Sequence, residues 1–274
     1  MMKLLNWISF DKINWSYLAE NPNAVYFLEK NPNKIIWQYL CLNQNPRAIE
    51  LLEANLDKIN WHMLSQNPSA MSLLEKNLKK IDWSYLCLNP HPKAIALLEK
   101  NPRKIDWVKL SSNSGAIHLL EANLEKINWY MLSQNPNAIS LLEANKDKIN
   151  WDLLALNENA IHLFRNNLDK IQWYQMSTNP NAIPLLEANP DKINWRSLSC
   201  NKNAISFLEA NQDKIDWNML MTNPSIFTYD YEMMMKSKVD LNDEIMALAL
   251  HPKRIFRLIS EYGEEEIYDI YFDE

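Results

Sequence analysis

The chain has 274 residues, with 28 Lys and Arg against 34 Asp and Glu, for a formal net charge of −6. That balance excludes a general electrostatic attraction to nucleic acid or anionic lipid. Hydrophobic residues at 47% suffice for a continuous core, while 2 glycines against 13 prolines leave few turns that need positive φ.

The opening stretch, Met1 to Trp15, has no sustained apolar core and no small-residue cleavage site, so it does not read as a signal peptide. No run approaches the ~20 apolar residues of a membrane span. Three cysteines at no motif spacing argue for a reducing compartment. The expectation is a soluble intracellular protein that is not secreted and does not engage membranes. Within this stretch Leu4 and Leu5 precede Asp11-Lys12-Ile13-Asn14-Trp15, so residues 1–20 read as an N-terminal capping half-repeat.

From residue 21 to 224 the chain repeats itself. Trp15, Trp37, Trp61, Trp83, Trp107, Trp129, Trp151, Trp173, Trp195 and Trp217 mark the period. The spacing is 22, except for two steps of 24 that carry an insertion after Asn43 and after Asn89. An insertion that recurs at one phase marks a loop. The consensus is N-P-x-A-I-x-L-L-E-x-N-x-D-K-I-x-W-x-x-L-S-x. Asn135 suits an N-cap, with Pro136 at the first helical position, where its missing N–H costs nothing. Ala138, Ile139, Leu141 and Leu142 share one helical face. Asn145 suits a helix end because Asn tolerates left-handed backbone. A second helix with Asp147 near its start would bury Ile149, Trp151 and Leu154. Each unit is thus two short helices, one of them open to 3₁₀ geometry. Isolated helices this short are marginal in water, so stability must come from stacking. The fold expected is an all-α solenoid of about nine such units with terminal caps. At helix spacings of ~8–10 Å, it would be an open rod roughly 80–100 Å long.

After Asn223-Pro224 the pattern decays, and residues 225–274 read as a C-terminal helical cap with an acidic tail. His251 to Leu258 echoes the first helix of a unit, with Arg254 where the units carry Ala.

The repeated units, the Leu5-Asn6-Trp7-Ile8 opening and the endings Asn223 to Tyr231 and Leu250 to Ile255 together resemble the tandem-repeat proteins encoded in many copies by giant DNA viruses. The resemblance covers nearly the whole chain. It implies a source and an architecture, with a place in host cytoplasm, viral factory or virion, and brings no catalytic residue set.

Three regular ladders invite functional readings. Lys12, Lys34, Lys58 and their successors sit three residues before each Trp and would suit a basic stripe along a nucleic-acid backbone. A matching Glu ladder, Glu29, Glu53, Glu75 and onward, favours structural ion pairing instead, and Lys stems can also cover Trp faces. Arg165 breaks the Glu ladder. Two Asn ladders are explained by capping and inter-unit hydrogen bonds. The Trp row fits a core better than a stacking platform for bases. Cys41 and Cys87 occupy a small-residue position and lie too far apart in the stack for a shared metal.

No Gly-rich phosphate loop, HExxH or nucleophile elbow is present, so neither enzymatic activity, metal nor cofactor is expected. What varies from unit to unit is the residue after each Trp, including Gln38, His62, Tyr130, Asp152, Tyr174 and Arg196, and the residue after each Ala-Ile, including Tyr26, Glu50, His118 and His162. Framework residues that repeat beside surface residues that do not suit a partner-binding face. The functional expectation is a non-catalytic scaffold or adaptor for protein partners. The alternatives are a repeat-type nucleic-acid binder using the Lys ladder, or an architectural or virion component.

Overall fold

A computed structural model describes residues 2–236, 238 and 252–263. They form an all-α repeat solenoid whose short helices recur at the period of the Trp residues. Residues 2–228 make one compact unit, and the described residues from Tyr229 onward belong to a second. Within the latter, the described part includes the helix Pro252–Tyr262, on which Arg254 is exposed. The acidic tail from Glu264 lies outside the described residues.

Each repeat is built in three pieces. A 3₁₀ turn, such as Lys146–Lys148, carries the Asp-Lys pair. The chain then extends at Ile149 (φ −67°, ψ 125°), so the helix expected from Asp147 onward is interrupted there. The interruption lets Asn150 cap a separate Trp helix, Trp151–Leu154, by accepting from the Leu153 N–H at 2.9 Å. The second helix follows at the Ala-Ile phase, here Ile161–Phe164. Where Pro starts it, a 3₁₀ turn often leads in, as Pro180–Ala182 leads into Ile183–Glu187. The two insertions do fall in loops, and each brings a fresh N-cap. Asn45 and His91 accept from the N–H groups of Arg47 and Lys93, and the helices behind them, Pro46–Glu53 and Pro92–Glu99, are continuous.

The core lies between the Trp helices and the second helices. In the unit of Trp151 it contains Leu154, Ala155, Ala160 and Phe164, all buried. The Trp rings pack against this core from its edge and stay half-buried. Fully burying one such Leu contributes ~1.5–3 kcal/mol, and the stack repeats that gain in every unit.

Polar side chains join the units. Asn157 is buried and donates through Nδ2 to two carbonyls of the preceding unit, Ser133 at 3.2 Å and Asn135 at 2.7 Å. Its Oδ1 accepts from its own unit's Asn159 N–H at 3.0 Å. The same three bonds recur at Asn43, Asn67, Asn89, Asn113, Asn135, Asn179, Asn201 and Asn223. The second Asn ladder ends helices in another way than expected. Asn145 has φ −135°, and among the described residues no residue other than Gly has positive φ. Its side chain instead donates back to the Leu141 carbonyl at 2.9 Å.

The first unit then meets the last. Asn21 Nδ2 donates to the carbonyls of Met221 and Asn223, each at 2.9 Å, which are the partners that the preceding unit supplies elsewhere. Asn23 donates to the Pro224 carbonyl as Asn45 does to that of Pro22. The helix Trp15–Glu20 packs on Trp217–Thr222 as it packs on Trp37–Leu40. A bond from the Leu5 N–H to the Ile226 carbonyl and a two-stranded pairing of Met2–Leu4 with Phe227–Tyr229 lie at the same seam, and Trp7 packs against Trp217. The ten Trp helices therefore close into a ring, and the open rod expected from the repeat count is corrected. A constant small rotation per unit makes a solenoid curve, and here the curvature brings ends together that sequence spacing alone leaves apart.

Candidate functional site

Around the ring the Trp helices pack side by side on one another from unit to unit, and the second helices do so less. The exposed side of a Trp helix is opposite its buried Leu, and carries the residue after the Trp.

The ten candidate residues accordingly divide between two rows rather than sharing one face. Gln38, His62, Tyr130, Asp152, Tyr174 and Arg196 are exposed on the Trp helices. Glu50, His118 and His162 are exposed on the second helices, and Tyr26 is half-buried under Lys30, whose Nζ lies 4.5 Å from the ring centroid. No hydrogen bond or ion pair joins any two of the ten. Several are instead tied to the neighbouring unit. His62 bonds the Asp82 carboxylate and packs edge-on to Tyr85, and Arg196 Nε lies 3.7 Å from Asp216. His118 and His162 reach Glu99 and Glu143 at 3.0 and 3.2 Å. Burial raises the Asp82 carboxyl, but the Tyr85 N–H and His62 outweigh it and hold that group below its usual range. Gln38, Tyr130, Asp152 and Tyr174 engage no side-chain partner among the described residues.

The Lys ladder is used within the stack. Lys58, Lys104, Lys126, Lys148, Lys170 and Lys214 each lie over the Trp ring of the preceding unit, 4.1–4.7 Å from its centroid. Lys12 lies over Trp217 at 5.9 Å, the same relation carried across the seam. The Glu ladder takes other partners, Arg47 on Glu29, Lys76 on Glu53 and Lys93 on Glu75. For most of the ladder the expected Lys–Glu pairing is thus replaced by cation–π contact, because the ammonium reaches a half-buried indole face before it reaches the carboxylate row, whereas Lys192 pairs with Asp191 at 3.4 Å.

A relay that the sequence reading missed runs through the position four residues after the Trp in the units that carry Ser or Cys there. Ser133 Oγ donates to the Trp129 carbonyl at 2.9 Å and accepts from the next unit's Asn150 N–H at 2.9 Å. Cys87 takes the same place, with its Sγ 3.3 Å from both the Trp83 carbonyl and the Asp106 N–H. The signal was the preference for Ser or Cys where Ala would pack as well. Burial pushes the thiols of Cys41, Cys87 and Cys200 up, which leaves them poor nucleophiles near neutral pH. Among the described residues no group of three or more His, Cys, Asp or Glu is placed to hold a metal ion, and no helix is long and apolar enough to cross a membrane. No family model matches the chain, and neither a curated protein nor a solved structure matches it.

Proposed function

We propose that the protein is a non-catalytic scaffold that holds protein partners on the ring. One observation carries this reading. The buried Asn ladder and most of the Lys ladder are engaged in unit-to-unit contacts, whereas the non-repeating residues Gln38, Tyr130, Asp152 and Tyr174 stand exposed with no side-chain partner among the described residues. Tyr130 and Tyr174 are 55% and 57% exposed. Tyr supplies large contact area at little conformational cost and is enriched at protein interfaces. The resemblance of the repeats to giant-virus tandem-repeat proteins supports a place for this scaffold in an infected cell or in the virion.

Affinity purification from the natural host with mass spectrometry tests the reading. The full chain should retain a defined set of proteins that a Tyr130→Ser, Asp152→Ser, Tyr174→Ser variant loses. Recovery of no specific protein by the unaltered chain would count against a scaffold. The alternative, nucleic-acid binding along the Lys ladder, has less support, since most of those ammonium groups lie on indole faces. Retention on heparin at low ionic strength, falling steeply with added salt, would revive it.

A further inference from the structure

The bond pattern that joins the units thins between the units of Trp151 and Trp173, where the outer charged pair is lost together with two of the inner links. Ala155 stands where Ser or Cys relays a bond elsewhere, so this link is missing. Gln172 stands at the N-cap of Trp173–Thr178 and makes no side-chain cap bond. Ala19 and Ile36 lose the same two links at the first interface, but Glu29 and Arg47 still pair there. Between Trp151 and Trp173 that outer pair is lost as well. Arg165 replaces the ladder Glu, and Pro184 replaces the residue that would face it, as His162 faces Glu143 one interface earlier. Among the described residues the Arg165 side chain meets no ion-pair or hydrogen-bond partner.

Two hollows flank the helix Ile161–Phe164 at this place. One, of about 420 Å³, has Arg165 on a wall otherwise made mainly of apolar groups, Ile161, Phe164, Leu168 and Pro184 among them. The other, of about 310 Å³, holds Lys146, His162 and Lys170 around Trp151. Neither hollow is lined by a carboxylate, in a chain whose net charge is −6.

We propose that these hollows are a docking site for an acidic peptide segment of a partner protein, with a carboxylate on Arg165 and an aliphatic or aromatic side chain in the apolar hollow. Charge complementarity selects the acidic group, since Arg165 is a cation without a counter-charge and its planar fork suits a carboxylate. The apolar wall selects a peptide over a nucleic-acid backbone, which carries no such side chain. This inference rests on the scaffold reading and gives it a location and a ligand chemistry.

The test uses the full chain and a fluorescein-labelled ten-residue peptide alternating Glu with Leu and Phe, followed by anisotropy at low salt. The unaltered protein should bind it, and the peptide with Gln in place of Glu should bind at least tenfold more weakly. Arg165→Glu should weaken binding at least tenfold. That variant restores the residue of the other units, so it should fold, and an unchanged melting temperature confirms that it does. Arg103→Glu, at an exposed cation outside the hollows, should leave binding unchanged. Binding that Arg165→Glu leaves intact would overturn the site, as would equal competition by a single-stranded oligonucleotide of the same charge. Peptide binding without any cellular partner would sink the scaffold and spare the site. Partners retained equally by the Arg165→Glu bait would do the reverse.

Discussion

At the scale of single residues, the buried Asn of each interface shows how one side chain sets a spacing. Asn157 joins two carbonyls of the neighbouring unit and one N–H of its own. Asn157→Ala strands the Ser133 carbonyl in a buried place, at about 1–3 kcal/mol, and takes one bond each from the Asn135 carbonyl, which keeps the Ala138 N–H, and from the Asn159 N–H, at about 0.5–1.5 kcal/mol apiece. A denaturant melt should therefore show a loss of roughly 2–5 kcal/mol. A change below ~0.5 kcal/mol, as at an ordinary surface site, would mean that water replaces the amide. Glu20 provides a pH-dependent counterpart. Burial raises its carboxyl above the ordinary value. The folded state then binds the proton more tightly than the unfolded state, so stability declines as pH rises from the unfolded value through the folded one. Glu20→Gln should melt higher than the unaltered protein at neutral pH, and the difference should vanish once pH is low enough to protonate Glu20 in both states. A difference that persisted in acid would assign the effect to something other than charge.

At the scale of elements, capping decides where helices as short as four residues begin. Asn and Asp before the Trp accept an N–H of the first turn, as Asn150 does at 2.9 Å and Asp216 at 3.0 Å. Gln172 makes no such bond, since its extra methylene carries the amide past the first turn. Gln172→Asn should stabilise the fold by ~0.5–1 kcal/mol, read as a shift in the denaturant midpoint at unchanged slope. No shift would show that this helix start is held by the stack rather than by its cap. The Pro at the start of many second helices and the Asn before it were legible directly, because their conformational preferences are local. The break at Ile149 was not. The run Asp147 to Leu154 has helical spacing throughout, and only the competition of Asn150 for the first-turn N–H groups divides it.

At the scale of the whole ring, closure is the property that sets this protein apart from an open stack. Asn14 Nδ2 lies 2.8 Å from Asn218 Oδ1 across the seam. In an open rod of ten units the same residues would stand on the order of 80 Å apart. Asn14→Cys with Asn218→Cys should therefore be joined within one chain by a short bis-maleimide crosslinker, identified by mass spectrometry of the joined peptides. Absence of that link, with both cysteines accessible to alkylation, would reopen the ring. Closure gives every unit two neighbours and leaves no apolar end of the stack exposed, which an open solenoid must cover with polar caps.

The sequence by itself determined the period, the helical class, the phase of the insertions and the buried Leu and Ala positions, because each follows from local spacing and from side chains that prefer one backbone state. The tertiary structure decided what spacing cannot express. Whether Lys170 meets a carboxylate or an indole depends on which atoms of the next unit come within reach, and it lies 4.4 Å from the Trp151 ring centroid. Whether Asn21 finds partners at all depends on the rotation accumulated over ten units, which no single repeat encodes. Closure is a sum of small angles, and a sum of that kind exists only once the units are assembled.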